Sequence, residues 1–404
     1  MSFLSKNSIY QSWLSISPVV RRNITLDFLS AIFYGVYLSM VNTFVPVIAR
    51  RLGASALLLA LITAAPAVGN IIAVFSSHYL QRRRKLPLMV GAWTVGRGMF
   101  LLMPFVTTPV PFVMVVVVQW LISSLSVTGY VEVVRAIYPA AIRGRAMAYV
   151  RVGFTVTAII LTPIIGQLLD VWSYQVLFPI AAICGVLSGW SFGQVVYEES
   201  VAEKQTGLLE PLRILGRDRR YRDYSIAFML CGFGNLLIAP LIPILLVDEL
   251  QLNYGQVGLL GMINSVSLML FYVIWGRSID RRGGLWTVKI NLFFMTFISL
   301  AFYLAQDMWL AGVAYIIIAI INAGTDLGWM NAVMQFARKE QVSYYTALHA
   351  FLVGVRGIVA PLLGTVLMAI PFIGLRGVFL ISAGLIFLGW FLMRRVHVPE
   401  KTEM

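Results

Sequence analysis

Long apolar runs alternate with short polar ones along almost the whole chain, and the longest polar stretch falls near its middle. Crossing the hydrocarbon core of a bilayer takes about 20 apolar residues in a helix. By that measure the first half holds six runs: Ile24–Ala49, Leu57–Tyr79, Leu88–Val106, Phe112–Ile137, Met147–Leu169 and Val176–Val196. The second half holds six more: Tyr224–Val247, Val257–Trp275, Val288–Leu304, Trp309–Phe336, Ala347–Ile370 and Val378–Met393. Backbone groups in lipid must be satisfied within their own segment, so each run is predicted to be a helix. Between the sixth and seventh lies Tyr197–Arg222, with Glu198, Glu199, Glu203, Lys204, Glu210, Arg213, Arg217, Asp218, Arg219, Arg220 and Arg222. The predicted organisation is a leader (1–23), a six-helix bundle (24–196), a linker (197–222), a second six-helix bundle (223–395) and a tail (396–404). Ile9–Val20 reads as a short interfacial helix or as part of an irregular leader, and no signal-peptide cleavage site follows the first run.

Composition narrows the class. Of 404 residues 59% are hydrophobic and only 12% charged, against about 25% charged in soluble domains. That leaves too little polar surface for a water-facing shell, so the chain is predicted to be an all-α integral membrane protein. A net charge of +14 would suggest nucleic acid in a soluble protein. Here the basic residues sit in short loops between apolar runs, and topology explains them without a nucleic-acid partner. With both termini cytoplasmic, the inner segments carry 24 of the 31 Lys and Arg residues, and the opposite side only Arg50, Arg51 and Arg376. Cys184 and Cys231 both lie inside apolar runs and supply no disulfide framework.

The halves repeat each other. The first run ends in Phe44-Val45-Pro46-Val47 and the seventh in Leu241-Ile242-Pro243-Ile244, 197 residues apart. The fifth contains Thr162-Pro163-Ile164-Ile165-Gly166 and the eleventh Ala360-Pro361-Leu362-Leu363-Gly364, 198 residues apart. A mid-helix proline breaks a backbone hydrogen bond, and matched interruptions in two halves point to a binding region between them.

The loop after the eighth run reads Gly276-Arg277-Ser278-Ile279-Asp280-Arg281-Arg282-Gly283-Gly284. It resembles the loop signature of the major facilitator superfamily, and with twelve spans in a 6+6 repeat the resemblance covers nearly the whole chain. It implies two six-helix bundles that move about a central pocket. It also implies that Gly276 and Gly283 allow close helix approach, and that Asp280, beside Arg281, docks near Gly144 and Arg145 at the start of the fifth span, closing the cytoplasmic side. A carboxylate there would meet the positive end of the helix dipole. The first-half copy keeps only the basic cluster: Ser76, Leu80 and Arg83 stand at the positions of Gly276, Asp280 and Gly283. Thr162-Pro163-x-x-Gly166-Gln167, with Ala158 before it, resembles a reduced form of the family's exporter signature and leans toward export of the multidrug or organic-solute type.

Ionisable groups inside spans are costly and are functional candidates by default. Asp326 and Arg356 fall near mid-depth on consecutive helices, and are expected to form a pair that substrate or proton binding disrupts. Asn322, Asp326 and Trp329 share one helical face. Asp27, Glu132, Arg135 and Arg151 lie within two turns of cytoplasmic helix ends and are expected to form a gate network, with Thr128 above Glu132 and Arg135. Arg97 is expected to pack or snorkel outside the pocket, and His78 and His349 are weaker candidates for proton coupling. Tyr34, Tyr37, Asn42, Tyr130, Trp329 and Asn331 are expected to line the pocket, and an aromatic and amide lining suits an amphipathic organic solute. No phosphate-binding loop of the G-x-x-x-x-G-K-[ST] type occurs, which favours secondary transport, coupled to protons, without cofactor or metal. Uptake by symport, lipid translocation, and a non-transporting assembly or pigment-binding role on the same fold are the rivals. A membrane-embedded enzyme would need clustered catalytic groups, and the three His residues are scattered. Beyond its solute, protons and lipid no partner is implied, and nothing demands more than a monomer in the plasma or inner membrane.

Overall fold

A computed structural model describes residues 17–80, 84–197, 214–337 and 341–397. Most of the leader, of the linker and of the tail lies outside these, as do Arg82, Arg83, Arg338 and Lys339; the side chains of Ser76, His78, Leu80 and Thr128 are likewise outside the description. In the first half the helices are α1 (Pro18–Arg51), α2 (Ala56–Leu80), α3 (Lys85–Gly98), α4 (Pro109–Ser124), α5 (Val127–Ile137), α6 (Ala140–Val171) and α7 (Tyr174–Phe192). The second half comprises α8 (Arg219–Ile238), α9 (Tyr254–Arg282), α10 (Gly284–Leu304), α11 (Met308–Val333), α12 (Val342–Met368) and α13 (Gly374–Arg394). Eleven helical segments are long and apolar enough to cross a membrane, and α4 with α5 makes the twelfth crossing. Among the described residues there is no strand.

Local chemistry explains where the helices depart from simple runs. Ser17 caps α1 through the amide of Val20, and Pro18 takes the first turn, where a missing N–H costs nothing. The fourth span breaks because Ser124 and Ser126 turn their hydroxyls back onto the carbonyls of Leu121 (2.7 Å) and Ser123 (2.6 Å). Such back-bonding competes with the helical ladder and bends it. The matched prolines behave differently. Helix α1 runs straight through Pro46. The counterpart carries two prolines, Pro240 and Pro243, and α8 gives way to a 3-10 turn (Ala239–Leu241), one α turn (Ile242–Ile244) and a π turn (Leu245–Glu249).

Helix packing separates the halves. In the first, α1 lies against α6 and α7, and α2 against α4; in the second, α10 and α9 flank α11, and α8 lies against α12 and α13. Two helix pairs join them, α6 with α9 and α2 with α12. Small residues set these approaches, as expected where apolar burial gives helices no preference over lipid. A Cβ on Gly166 would lie 2.5 Å from the Tyr254 carbonyl, and one on Gly258 2.8 Å from that of Thr162. On the other pair, Gly357 sits on Ala67 and Gly354 on Ile71.

Candidate functional site: the seam between the halves

At the end of the molecule where α1 and α6 finish and α9 begins, the halves are clamped together. Asp170 of α6 accepts the backbone amides of Tyr254 and Gly255, both at 2.8 Å. These are first-turn N–H groups of α9 that no helical carbonyl can reach, and the carboxylate also meets the positive end of that helix. Arg50 donates from Nε to both carboxylate oxygens of Asp248 at 3.0 Å. Arg51 donates to the Leu252 carbonyl and lies 3.7 Å above the Tyr254 ring. Phe44 meets the same ring edge-on at 6.4 Å.

Toward the opposite end, polar and ring contacts between described residues of the two halves thin to one. The Arg151 guanidinium of α6 sits 5.8 Å from the ring of Tyr272 on α9. Tyr272 donates its hydroxyl to Asp326 of α11 at 2.6 Å. Arg151, Tyr272 and Asp326 thus form a line from one half into the other. Beyond them Asp280 is exposed and makes no hydrogen bond or ion pair with the described residues, and Arg145 and Arg281 are exposed as well. A Cβ on Gly144 or on Gly276 would meet nothing within 4 Å.

Several expectations are corrected here. Asp280 does not dock near Gly144 and Arg145; the carboxylate-on-helix clamp between α6 and α9 is made at their other ends, by Asp170. Gly276 makes no close approach, whereas Gly283 adopts φ +82°, the left-handed conformation that turns α9 into α10. Asp326 and Arg356 do not pair. Helices α11 and α12 scarcely touch, since α11 packs on α9 and α10 while α12 packs on α2 and α8. Asp326 therefore finds Tyr272, and Arg356 donates to the Phe228 carbonyl at 3.1 Å, its guanidinium 5.2 Å from the Phe228 ring.

The proposed gate network separates into local contacts. Asp27, buried, accepts the Tyr138 hydroxyl at 2.6 Å. Glu132 pairs with Lys85 rather than with Arg135 or Arg151, because the start of α3 lies beside α5. Arg135 is exposed, and its carbonyl accepts Arg143 at 3.0 Å.

The pocket-lining set also divides. Asn42, Asn322 and Asp326 are exposed, and Trp329 is half-buried. Tyr37 is buried, packed edge-on against Phe100 at 5.8 Å, so it lines no pocket. Tyr34 lies under Arg97, with the guanidinium 4.6 Å from its ring. Tyr130 packs on Trp93 and Phe192 at 5.9 and 5.8 Å. Asn331 folds back onto the Leu327 carbonyl at 2.7 Å, and its backbone and Cβ abut Gly284. Arg97 packs rather than snorkels: it is 6% exposed and donates to the Gly185 carbonyl (3.2 Å) and to Ser188 (2.9 Å). Tyr272, Asp170 and Asp248 were not singled out in the sequence. Counting only basic residues in loops passes over the acids that answer them.

The sequence matches the family model described as Major Facilitator Superfamily over residues 28–221 and 224–403. No curated protein matches it by sequence. Among solved structures, a mutant form of the nucleoside transporter NupG is similar at TM-score 0.74 and 13% identity, over 93% of this chain and 99% of that one. A bacterial homologue of the human lysosomal transporter Spinster, inward-facing and occupied, is similar at TM-score 0.65 and 12% identity, over 95% of this chain and 98% of that one. The twelve crossings, the clamped seam and the family match over nearly the full length agree: the chain is a multi-pass membrane protein that belongs to the major facilitator superfamily, a family of transporters.

Proposed function

We propose that this protein is a proton-coupled secondary transporter that exports a small amphipathic organic solute by alternating access. The two halves, residues 24–196 and 223–395, move as bodies about the seam, in the cell membrane and with both termini cytoplasmic. The observation that carries the reading is the line Arg151–Tyr272–Asp326. Its carboxylate is exposed, and among the described residues its hydrogen-bond partner is a neutral hydroxyl. A carboxylate locked onto an arginine would be a fixed structural charge; one held by a phenol stays open to a proton or to a solute. By the bias of basic loops, the clamped end faces outward, so the resting protein offers its seam to the cytoplasm. The Thr162-Pro163-x-x-Gly166 turn forms part of that outer seal, through Gly258 and Tyr254, and a tight outer seal suits a protein that loads from inside.

The test is flux in proteoliposomes, with a solute first identified by ligand-dependent thermal shift, since binding to the folded state raises apparent stability. An imposed pH gradient is expected to drive the solute against its concentration gradient through the wild type and not through Asp326→Asn. Flux indifferent to the gradient in the wild type sinks the coupling, and the absence of any solute flux sinks the transporter reading itself.

A further inference from the structure

Arg97 and Arg356 lie within spans without a carboxylate partner among the described residues, and they are satisfied very differently. Arg97 has two acceptors and lies among the rings of Tyr34, Tyr37 and Trp93. Arg356 has the Phe228 carbonyl and, at 3.9 Å, the Met229 sulfur. Its Nε is enclosed and has no partner.

Two further enclosed polar atoms without partners belong to the same cluster. They are Nδ1 of His349, a residue 3% exposed, and the hydroxyl of Tyr224, 0% exposed. All three side chains gather on Phe228, with ring centroids at 4.9 Å for His349 and 5.7 Å for Tyr224, and the Arg356 guanidinium at 5.2 Å. The His349 ring also stacks on Trp329 at 4.8 Å and 7°. Trp329 is half-buried and stands three residues after Asp326 on α11, on the same helical face.

Buried polar groups are ordinarily hydrogen-bonded, and a buried charge is ordinarily paired. A cluster that breaks both rules with three donor-capable groups on one aromatic hub asks for an acceptor carrying negative charge. Guanidinium is the side chain best matched to a carboxylate, which it can grip through two parallel bonds. With a single cation in the cluster, a monoanion is matched and a dianion leaves one charge uncompensated. Half-buried Trp329, stacked on His349, is the aromatic surface beside the acid for a planar apolar body.

We infer that the Arg356–His349–Tyr224 cluster is the subsite for the acidic group of a solute that is an aromatic monocarboxylate. The inference rests on the transporter reading for its physiological meaning, but its test is binding and stands apart from flux. Titration calorimetry of the purified full chain in detergent would use 2-naphthoate, its neutral isostere 2-naphthamide and the dianion 2-naphthyl phosphate. Naphthoate is expected to bind at least tenfold tighter than the amide and no weaker than the phosphate.

Arg356→Gln is expected to erase the preference for naphthoate over the amide, and Arg356→Lys to retain part of it. Gly232→Ala keeps the charge but places a methyl group on the guanidinium. It too is expected to erase the preference, and it decides the matter if Arg356→Gln fails to fold. Equal binding of naphthoate and naphthamide, no saturable naphthoate binding, tighter phosphate binding, or a preference that survives both Arg356→Gln and Gly232→Ala each overturn the subsite. A protein that shows the Arg356-dependent preference but carries no solute in liposomes keeps the subsite and loses the transporter reading.

Discussion

Asp170 holds the first turn of α9 from the opposite half of the molecule, its Oδ1 2.8 Å from the Tyr254 amide. The bond does two things at once. It satisfies helix N–H groups that have no acceptor of their own, and it spans the seam between the halves. Breaking the clamp exposes both groups to water, so its strength in the closed state is net and modest. A carboxylate at a helix N-terminus contributes about 1 kcal/mol, up to about 2 when partly enclosed.

Asp170→Asn is therefore expected to shift the balance between the two open forms by about tenfold toward the form open at the clamped end, on the ~1.4 kcal/mol-per-decade scale. Pulsed spin-label distances across the clamped end should show a longer population grow in the variant. An unchanged distance distribution removes Asp170 as a determinant of the seal.

Steric closeness makes a second, independent prediction for the same end. Gly166→Ala places a methyl group 2.5 Å from a backbone carbonyl, and backbone yields less readily than a flexible side chain. The clamped form should be lost, with alkylation of a cysteine introduced near Thr43 rising several-fold. Gly144→Ala, where a Cβ meets nothing within 4 Å, is the matched control. Equal reactivity in the two variants would contradict the packing account.

Glu132 offers a test of local pairing against a shared network. A double-mutant cycle between Lys85 and Glu132, read by thermal or denaturant unfolding in detergent, should show coupling. With Glu132 partly exposed, the coupling is expected to be no more than about 1 kcal/mol. The cycle between Glu132 and Arg151 should give none. Coupling only in the second cycle would restore the wider network.

Arg97 should behave as a structural residue. Arg97→Met removes the charged donor to the Ser188 hydroxyl and the Gly185 carbonyl, at a cost of about 1.5–3 kcal/mol for a hydrogen bond to a charged group. A lowered melting temperature with unchanged flux per folded molecule is the expected result. Flux lost at unchanged stability would move Arg97 into the transport pathway.

How much of this could be read from the sequence depends on distance along the chain. The crossings were legible because apolar length is a local property, and Pro46 and Pro163 made the repeat visible. The serine break in the fourth span was overlooked, since Ser123, Ser124 and Ser126 are apolar enough in context not to interrupt the run. Partner choice was not legible. Asp326 and Arg356 are neighbours in depth, yet which helices α11 and α12 touch is set by packing across the whole half. Asp280 carried a familiar loop pattern, while Asp170, which makes the bond expected of it, sits unmarked by any motif in the last turn of α6. In an alternating-access protein each end closes in turn, so a pattern in the sequence does not say which of two clamps a given conformation has formed.

The line Arg151–Tyr272–Asp326 permits a dissection of coupling from movement. Counterflow, the exchange of labelled for unlabelled solute without a gradient, needs only alternating access, whereas accumulation driven by a pH gradient needs a group that loads and unloads a proton. Asp326→Asn preserves an acceptor for the Tyr272 hydroxyl through its amide oxygen but removes the carboxylate. It is expected to keep counterflow within a few-fold and to lose accumulation altogether. Tyr272→Phe keeps a ring beneath Arg151 and removes the 2.6 Å bond to the carboxylate. A charge-assisted hydrogen bond contributes about 1.5–3 kcal/mol, and much of that is recovered by solvent at an exposed carboxylate, so both activities should fall by less than about tenfold with coupling retained. If Tyr272→Phe uncouples flux from the gradient while Asp326→Asn does not, the proton is carried elsewhere and the role assigned to Asp326 is wrong. If both variants lose counterflow with their folding intact, the line is a hinge contact needed for movement rather than a coupling device.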